Sequence, residues 1–151
     1  YLCDLYRDNK LVVPGALSAL DTPIDLTRVK RLSYIRAGRD DHIAPVDSVW
    51  KLQDHFTGPV KFLLAGSGHI AGVVNPPVHQ KYQYWTNDAK TATLEEFIAG
   101  ATETKGSWWP DWLTWLQLQN DKMVAVKGAR IPGEGKLKAL ESAPGSYVKA
   151  R

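Results

Sequence analysis

The sequence predicts an α/β fold, because a strand, a helix and a second strand follow one another within a short stretch. Residues 32–37 and 60–65 are short runs with strand character, and each is closed by a glycine. Between them, Pro45 and Asp47 indicate the start of a helix, and the Gly-Pro pair at 58–59 ends it. Three elements within about 35 residues are typical of a βαβ unit, whose two strands lie parallel with a right-handed crossover.

Residues 1–31 predict a short helix followed by loops. An aromatic and aliphatic start leads to a turn at Pro14-Gly15, and a basic stretch follows Thr22-Pro23-Ile24-Asp25. We expect this part of the chain to be a surface connection rather than core. The crossover helix then contributes an apolar stripe, formed by Val49, Trp50, Leu52 and Phe56.

Two more helices are predicted in the second half of the chain. Thr93 and Glu96 form a capping box at the start of the first, and Gly106 ends it. Its buried side is formed by Phe97, Ile98 and Ala101. The other helix begins near Pro110, with Asp111 in its positively polarised first turn. It directs four side chains toward a partner surface, namely Trp112, Leu113, Trp115 and Leu116.

Composition and charge narrow the class of protein. Of 151 residues, 44% are hydrophobic and 23% are charged, which is ordinary for one folded domain and excludes a disordered or collagen-like chain. No apolar run reaches the ~18 residues that span a bilayer. The net charge of +3 is too small for a nucleic-acid footprint. The single cysteine, Cys3, excludes an intrachain disulfide and a cysteine-based zinc site and favours a reducing compartment, so we expect a cytoplasmic location.

Polar side chains follow both predicted parallel strands, at the point where each strand ends. Asp40, Asp41 and His42 come after the first strand, and Ser67 and His69 come after the second. Because paired parallel strands lie ~4.8 Å apart, a carboxylate on one loop can contact an imidazole on the other. A carboxylate that holds the Nδ1–H of a histidine leaves Nε2 free to accept a proton, which is half of a hydrolase triad. Asp41 and His69 are the predicted acid and base, whereas we expect Asp40 to cap a turn and His42 to make a local hydrogen bond.

Two other kinds of site are disfavoured by the residues around them. A metal site built from Asp40, His42 and His69 lacks any recognisable ligand spacing, so we expect no metal. Residues 66–71 match the loose dinucleotide fingerprint G-x-G-x-x-A, with Asp88 further along the chain. The glycine and prolines that follow leave no room for the helix that such a site needs, so we treat this match as accidental.

A nucleophile is missing from this set of residues. No G-x-S-x-G or G-x-C-x-G motif occurs in the chain, and Cys3 has no flanking glycine to permit the strained turn of a nucleophile elbow. The only methionine is Met123, so the chain starts without an initiator residue. We therefore expect a fragment whose nucleophile-bearing part lies upstream of Tyr1, and no catalytic activity from the chain alone.

Four strings of residues occur in an order that is typical of one enzyme family. They are residues 67–77 (SGHIAGVVNPP), 84–88 (YWTND), 106–112 (GSWWPDW) and 143–149 (APGSYVK). Together they resemble the C-terminal portion of the class I polyhydroxyalkanoate synthases. The resemblance implies the C-terminal portion of an α/β-hydrolase fold, with a mainly parallel sheet and flanking helices. Residues 1–151 are then expected to be a C-terminal fragment of a single catalytic domain, with 120–151 as a loosely packed tail.

The resemblance also implies an activity. Enzymes of this family are cytoplasmic acyltransferases that move (R)-3-hydroxyacyl units from coenzyme A thioesters to a growing polyester, using a Cys-Asp-His triad. On this chain, the resemblance makes His69 the base that activates the cysteine thiol and Asp41 the acid, which the family also uses to activate the 3-hydroxyl group of the incoming unit. It further implies a homodimer of the full-length enzyme, association with polyester granules, and no cofactor apart from the coenzyme A of the substrate.

Two alternatives stay open at this point. One is a related α/β-hydrolase esterase or depolymerase, and the other is a noncatalytic remnant associated with granules. The residue in the upstream elbow distinguishes them, since cysteine favours a synthase, serine favours an esterase, and neither favours a remnant.

Overall fold

The computed structural model of the protein describes residues 1–125 and 131–150. The chain divides into two compact units, Tyr1–Trp115 and Leu116–Arg151. The first unit contains the sheet and both loops that the sequence singles out, so the candidate site belongs to it alone.

A four-stranded sheet organises the first unit. Its strands are β3 (Ser33–Gly38), β4 (Val60–Ala65), β5 (Gln83–Thr86) and β6 (Thr102–Lys105), in that spatial order. β3 and β4 are parallel, from Ser33 opposite Val60 to Gly38 opposite Ala65, as predicted. β4–β5 and β5–β6 are antiparallel.

The sheet is therefore mixed, and the expectation of a mainly parallel sheet holds for one pairing out of three. The physical reason lies in the connections. β3 and β4 are joined through a crossover helix, whereas the chain between β4 and β5 forms turns and one short 3₁₀ helix (Pro77–His79) and returns antiparallel. The fold class is mixed α/β, in agreement with the sequence.

The N-terminal residues form short elements on the surface, as predicted. A π-helical segment (Leu2–Arg7) and a 3₁₀ helix (Lys10–Val12) are followed by a two-stranded hairpin of β1 (Ser18–Ala19) and β2 (Thr22–Pro23) and by a 3₁₀ helix (Leu26–Arg28). None of these elements contains a buried residue.

One face of the sheet packs against the crossover helix and a second short helix. The crossover consists of α1 (Val46–Trp50) and a 3₁₀ turn (Lys51–Asp54), and the second helix is α2 (Leu94–Ala99). The buried residues of this core are Ile35, Ala37, Phe62, Leu64, Leu94 and Phe97, with Trp50 packed against them. The Trp50 and Phe97 rings meet Phe62 edge to face, with centroids 4.9 and 5.1 Å away.

The other face of the sheet packs against the start of α3 (Trp109–Gln119), which begins within one residue of the predicted position. Here Leu63, Ala65, Tyr84 and Trp108 are buried, with Tyr34 against them. Successive residues of a strand point to opposite faces, so β3 and β4 each serve both layers.

A partly buried ion pair fixes the start of α3 to the sheet. The Tyr34 hydroxyl donates to Asp111 Oδ1 at 2.7 Å, and Lys61 Nζ lies 2.8 Å from Asp111 Oδ2. Tyr34 and Lys61 are directly opposite each other in the β3–β4 register, so both strands hold the same carboxylate. Burial, followed by the neighbouring Asp111 carboxylate, raises the pKa of the Tyr34 hydroxyl.

The N-cap at Thr93 is confirmed, but Glu96 turns back to the residue before the cap, and the helix is shorter than predicted. Thr93 Oγ1 accepts the backbone N–H of Glu96 at 3.2 Å, and the Glu96 carboxylate accepts the N–H of Ala92 at 2.9 Å. α2 ends at Ala99, and the residues predicted to continue it to Gly106 form β6 instead. In so short a helix Leu94 and Phe97 supply the buried face, so Ile98, predicted to be buried, is 50% exposed.

The aromatic and aliphatic side chains between residues 108 and 115 differ in burial. Trp108 is 9% exposed and belongs to the core, whereas Trp112 and Leu113, both predicted to face a partner surface, are 40% and 54% exposed. Trp115 is half-buried and contacts the Tyr34 ring edge-on at 5.3 Å.

The second unit contains the end of α3 and a 3₁₀ helix (Ser146–Lys149), where Ser146 Oγ donates to Glu141 at 3.1 Å. Within the predicted tail, residues 126–130, which include Lys127 and Gly128, lie outside the described residues, as does Arg151. The loose packing of 120–151 stays a prediction. Across the two described ranges, no helix combines the length and the apolarity that crossing a membrane requires.

Candidate functional site

The first loop of the site leaves the end of β3 and turns back on itself. The Asp41 N–H donates to the Gly38 carbonyl at 3.3 Å, and the Asp40 N–H donates to the Ser67 carbonyl at 3.4 Å. A Cβ atom at Gly38 would lie 3.0 Å from Asp41 Cβ and 3.1 Å from the Ser67 oxygen. Glycine at this position therefore allows the two loops to approach each other closely.

Asp41 is buried and its carboxylate is held by main-chain donors. Its side chain is 4% exposed, and Oδ1 accepts the N–H groups of Ile43 and Ala44, each at 2.9 Å. The Ala44 N–H is the main reason that the pKa of Asp41 falls to about 2, with His69 and the Ile43 N–H acting in the same direction against burial. The carboxylate is therefore ionised at neutral pH.

His69 stands on the loop that follows β4. Gly66 continues the ladder by donating to the Gln83 carbonyl at 2.7 Å, and Ser67 then adopts a left-handed conformation with φ of 84°. This turn places His69 Nδ1 at 2.9 Å from Asp41 Oδ2 and 3.1 Å from Oδ1. The predicted contact between Asp41 and His69 is confirmed.

The two partners differ in their access to solvent. The His69 side chain is 45% exposed, whereas the Asp41 side chain is almost completely enclosed. Because Nδ1 faces the carboxylate, Nε2 lies on the other side of the ring. Such a pair can hold a proton on Nδ1 and take a second proton at Nε2 from a group that approaches from outside.

The loop after His69 is held by two indole groups that sequence reasoning did not assign to the site. Trp108 Nε1 donates to the Gly72 carbonyl at 2.9 Å, and Trp109 Nε1 donates to the Val73 carbonyl at 3.0 Å. Within the loop, Gly72 N–H bonds the Gly68 carbonyl at 3.1 Å. Trp108 is buried, and a buried indole N–H requires an acceptor, but this requirement does not identify which residue accepts it.

Arg36 lies beneath the same loop. A Cβ atom at Gly72 would collide with Arg36 Nη2 and lie 2.8 Å from the Gly68 carbonyl oxygen, so a side chain here requires the guanidinium and the loop backbone to shift. Arg36 Nε and Nη2 are buried and have no hydrogen-bond partner among the described residues. Burial lowers the pKa of Arg36, and the charge of Asp41 opposes that shift.

The remaining candidates lie outside the pair. Asp40 and His42 are exposed on the Asp41 loop, and Cys3 is exposed in the π-helical segment at the N-terminus. In the part of the chain that the structure describes, no three acidic, histidine or cysteine side chains group as metal ligands would. Residues 66–76, which include the dinucleotide-like string, form turns rather than a helix.

The comparisons with known proteins agree with the resemblance in the sequence. The chain is 41% identical over 151 residues to the poly(3-hydroxyalkanoate) polymerase subunit PhaC of Cupriavidus necator, which covers all of this chain and 25% of that protein. It is 43% identical over 151 residues to the subunit of the same name from Rhizobium meliloti, covering all of this chain and 24% of that protein. It is 35% identical over 150 residues to poly(3-hydroxyalkanoate) polymerase 2 of Ectopseudomonas oleovorans, covering 99% of this chain and 26% of that protein.

The chain spans about a quarter of the length of the curated relatives that it matches. No family model matches it. The similarity to poly(3-hydroxyalkanoate) polymerases, which the four strings predicted, is confirmed over the full length of the chain.

Proposed function

We propose that this chain is the acid- and base-bearing part of a polyhydroxyalkanoate synthase, an acyltransferase that builds a polyester from (R)-3-hydroxyacyl coenzyme A thioesters. The observation that supports it most is the hydrogen bond between Asp41 and His69 on the loops after two adjacent parallel strands. The similarity to poly(3-hydroxyalkanoate) polymerases along the entire chain supports the same conclusion.

In this proposal His69 is the general base and Asp41 is its partner. His69 Nε2 takes the proton of a cysteine thiol that lies outside this chain, and Asp41 stabilises the imidazolium through Nδ1. The thiolate sulfur bonds to the thioester carbonyl carbon, the carbon–sulfur bond to coenzyme A breaks, and the imidazolium returns the proton to the departing coenzyme A thiolate. The product is an acyl-cysteine.

Elongation repeats these proton transfers with a hydroxyl group as the nucleophile. His69 takes the proton of the 3-hydroxyl group of a second thioester, and the hydroxyl oxygen bonds to the carbonyl carbon of the acyl-cysteine. The carbon–sulfur bond to cysteine breaks, and the imidazolium returns the proton to the cysteine thiolate. Asp41 is 4% exposed and already accepts two N–H groups beside the imidazole, so the hydroxyl group has little access to its oxygens. We propose that Asp41 acts on the hydroxyl group through His69.

The placement within the longer protein is part of the same proposal. The chain supplies the C-terminal portion of an α/β-hydrolase-type catalytic domain, with 120–151 as its tail, and a Gly-x-Cys-x-Gly elbow precedes it. The full-length enzyme is a cytoplasmic homodimer at the surface of polyester granules.

The test uses the full-length polypeptide that contains this chain, supplied with (R)-3-hydroxybutyryl coenzyme A. Coenzyme A release and polymer formation are measured for the wild type and for His69→Gln, with His42→Gln as the matched control on the other loop. We expect His69→Gln to remove nearly all release and His42→Gln to retain it. Hydrolysis of ester substrates without polymer formation indicates an esterase instead, and a wild type with neither activity indicates a noncatalytic remnant.

A further inference from the structure

The loop that contains His69 is fixed by residues far along the chain. Trp108 and Trp109 reach it from a sequence distance of 36 residues, and both indole N–H groups end on main-chain carbonyls of the loop. The Trp108 ring is 9% exposed and belongs to the core between α3 and the sheet. A donor with so little freedom defines the position of its acceptor closely.

The two carbonyl groups are linked to the peptide groups on both sides of His69. The N–H of Gly72 donates to the Gly68 carbonyl at 3.1 Å, and the N–H of Val73 donates to the Ile70 carbonyl at 3.0 Å. Gly68 and Ile70 are the immediate neighbours of His69 in the sequence. A shift of Gly72 or Val73 therefore moves the backbone from which the imidazole projects.

The start of α3, where the two indoles lie, is bound to the strands that lead to Asp41 and His69. Asp111, in the first turn of α3, binds Tyr34 of β3 at 2.7 Å and Lys61 of β4 at 2.8 Å. β3 leads into the Asp41 loop and β4 into the His69 loop. The start of α3 therefore has a defined position relative to Asp41. Because the two indoles at this position bind the His69 loop, they also define where His69 lies relative to Asp41.

The His69 loop needs such support because its own backbone is poorly determined by local preferences. Ser67 adopts a φ of 84°, a backbone conformation that residues other than glycine rarely adopt. Glycines stand at 66, 68 and 72, and the imidazole is 45% exposed. Nearly half of the His69 side chain is therefore without packing contacts that would hold the ring against Asp41.

We propose that Trp108 and Trp109 are positioning residues, which keep His69 Nδ1 within hydrogen-bond distance of Asp41 by holding the carbonyls of Gly72 and Val73. The inference rests on the proposed function, since it assigns a role in the reaction of the Asp41–His69 pair. It adds that part of the catalytic geometry is set by the N–H groups of two side chains that do not touch the pair.

The test replaces each indole in the full-length polypeptide and measures turnover of (R)-3-hydroxybutyryl coenzyme A. Trp108→Phe and Trp109→Phe remove the N–H donors. Trp112→Phe is the matched control, because the Trp112 ring contacts Trp108 at a tilt of 45° but has no hydrogen bond to the loop within the described residues. We expect each of the first two to lower kcat about tenfold or more with little change in KM, since sub-ångström to 1 Å displacements of reacting groups cost up to about 100-fold.

A shape-preserving variant separates the N–H group from the ring. Trp108 is replaced by 3-benzothienylalanine, in which sulfur stands in place of the N–H, so that folding and packing are retained. The proton NMR signal of the His69 Nδ1–H bound to Asp41, far downfield of the amide region, is followed in parallel. We expect this signal to weaken and kcat to fall in the variant.

The outcomes separate the inference from the proposed function. Unchanged kcat and an unchanged Nδ1–H signal in both Trp108 variants would overturn the positioning role, as would an equal loss in Trp112→Phe. Full activity in His69→Gln would instead overturn the proposed function, and the downfield signal would then still report whether the indoles hold the ring against Asp41.

Discussion

The hydrogen bond between Asp41 and His69 joins a carboxylate that is 4% exposed to an imidazole that is 45% exposed. In the proposed mechanism Asp41 stays ionised and His69 exchanges protons. The Asp41 carboxylate is enclosed among main-chain N–H groups, and the His69 ring remains open to an incoming group. Main-chain donors cannot be lost by side-chain motion, so the ionisation of Asp41 is built into the backbone of its loop.

The acid is predicted to be Asp41 and not its neighbour. Asp41→Asn in the full-length polypeptide retains the shape but removes the charge that stabilises the imidazolium, and by analogy with the serine triad we expect a loss of about 10⁴-fold in coenzyme A release. Asp40→Asn is the matched control, because Asp40 is exposed and contributes only its backbone to the site. Equal losses in the two variants, or normal polymer formation by Asp41→Asn, would contradict this assignment.

Acid stability is predicted to depend on Asp41. Its pKa in the folded state is about 2, below the ordinary value of 3.8, so its ionisation stabilises the fold above about pH 4 and that contribution is lost as the pH falls through about 2. The unfolding transition of the 151-residue chain is measured in urea between pH 6 and pH 2. We expect the difference in stability between wild type and Asp41→Asn to shrink between pH 4 and pH 2. A difference that is constant over this range would show that the depressed pKa is absent.

The chain by itself is predicted to be inactive. The proposed mechanism needs a thiolate, and Cys3 is exposed in the N-terminal π-helical segment, outside the loops that form the Asp41–His69 pair. Purified 151-residue chain is incubated with (R)-3-hydroxybutyryl coenzyme A, and free thiol is measured against a blank and against Cys3→Ala. Release that Cys3→Ala abolishes would prove this prediction wrong.

The anchor of α3 is predicted to contribute to stability. Asp111→Ala leaves the Tyr34 hydroxyl and Lys61 without their acceptor, so we expect the free energy of unfolding to fall by about 1.5–3 kcal/mol, the range for hydrogen bonds to charged groups. Asp47→Ala, at an exposed position in the first turn of α1, should cost less than about 1 kcal/mol. Urea denaturation of the wild type and the two variants measures both changes. Equal losses of stability in the two variants would contradict the conclusion that Asp111 anchors α3.

A side chain at Gly72 is predicted to destabilise the fold. A Cβ atom there would collide with Arg36 and lie 2.8 Å from the Gly68 carbonyl, so we expect Gly72→Ala to lower the free energy of unfolding by about 1–3 kcal/mol. The matched control is Gly135→Ala, because nothing lies within 4 Å of a Cβ atom at that glycine. Thermal denaturation compares the two, and a neutral Gly72→Ala would mean that the loop relaxes away from Arg36.

The sequence was sufficient for the elements whose apolar pattern is strong. The β3–α1–β4 unit was predicted because its strands are buried and its boundaries are marked by Gly and Pro. β6 could not be predicted from its residues, since Thr-Glu-Thr-Lys is exposed throughout and becomes a strand only by pairing with β5. The same pairing cut short the helix that was expected to reach Gly106.

In the candidate site, too, one contact can be predicted from the sequence and others cannot. The contact of Asp41 with His69 follows from where two parallel strands end, which a local reading can establish. The hydrogen bonds from Trp108 and Trp109 join side chains to main-chain carbonyls, and a carbonyl is present at every position. No residue type in the His69 loop therefore identifies it as their acceptor.

The separation of 36 residues between each indole and its acceptor carbonyl has a consequence for the nascent chain. Trp108 leaves the ribosome 36 residues after Gly72, which at about 5–20 residues per second is an interval of about 2–7 s. During that time Asp41 and His69 have both been synthesised, but the loop between β4 and β5 has no indole donors. A translation product that ends before Trp108 would contain both Asp41 and His69 and still lack the two indole hydrogen bonds to the His69 loop.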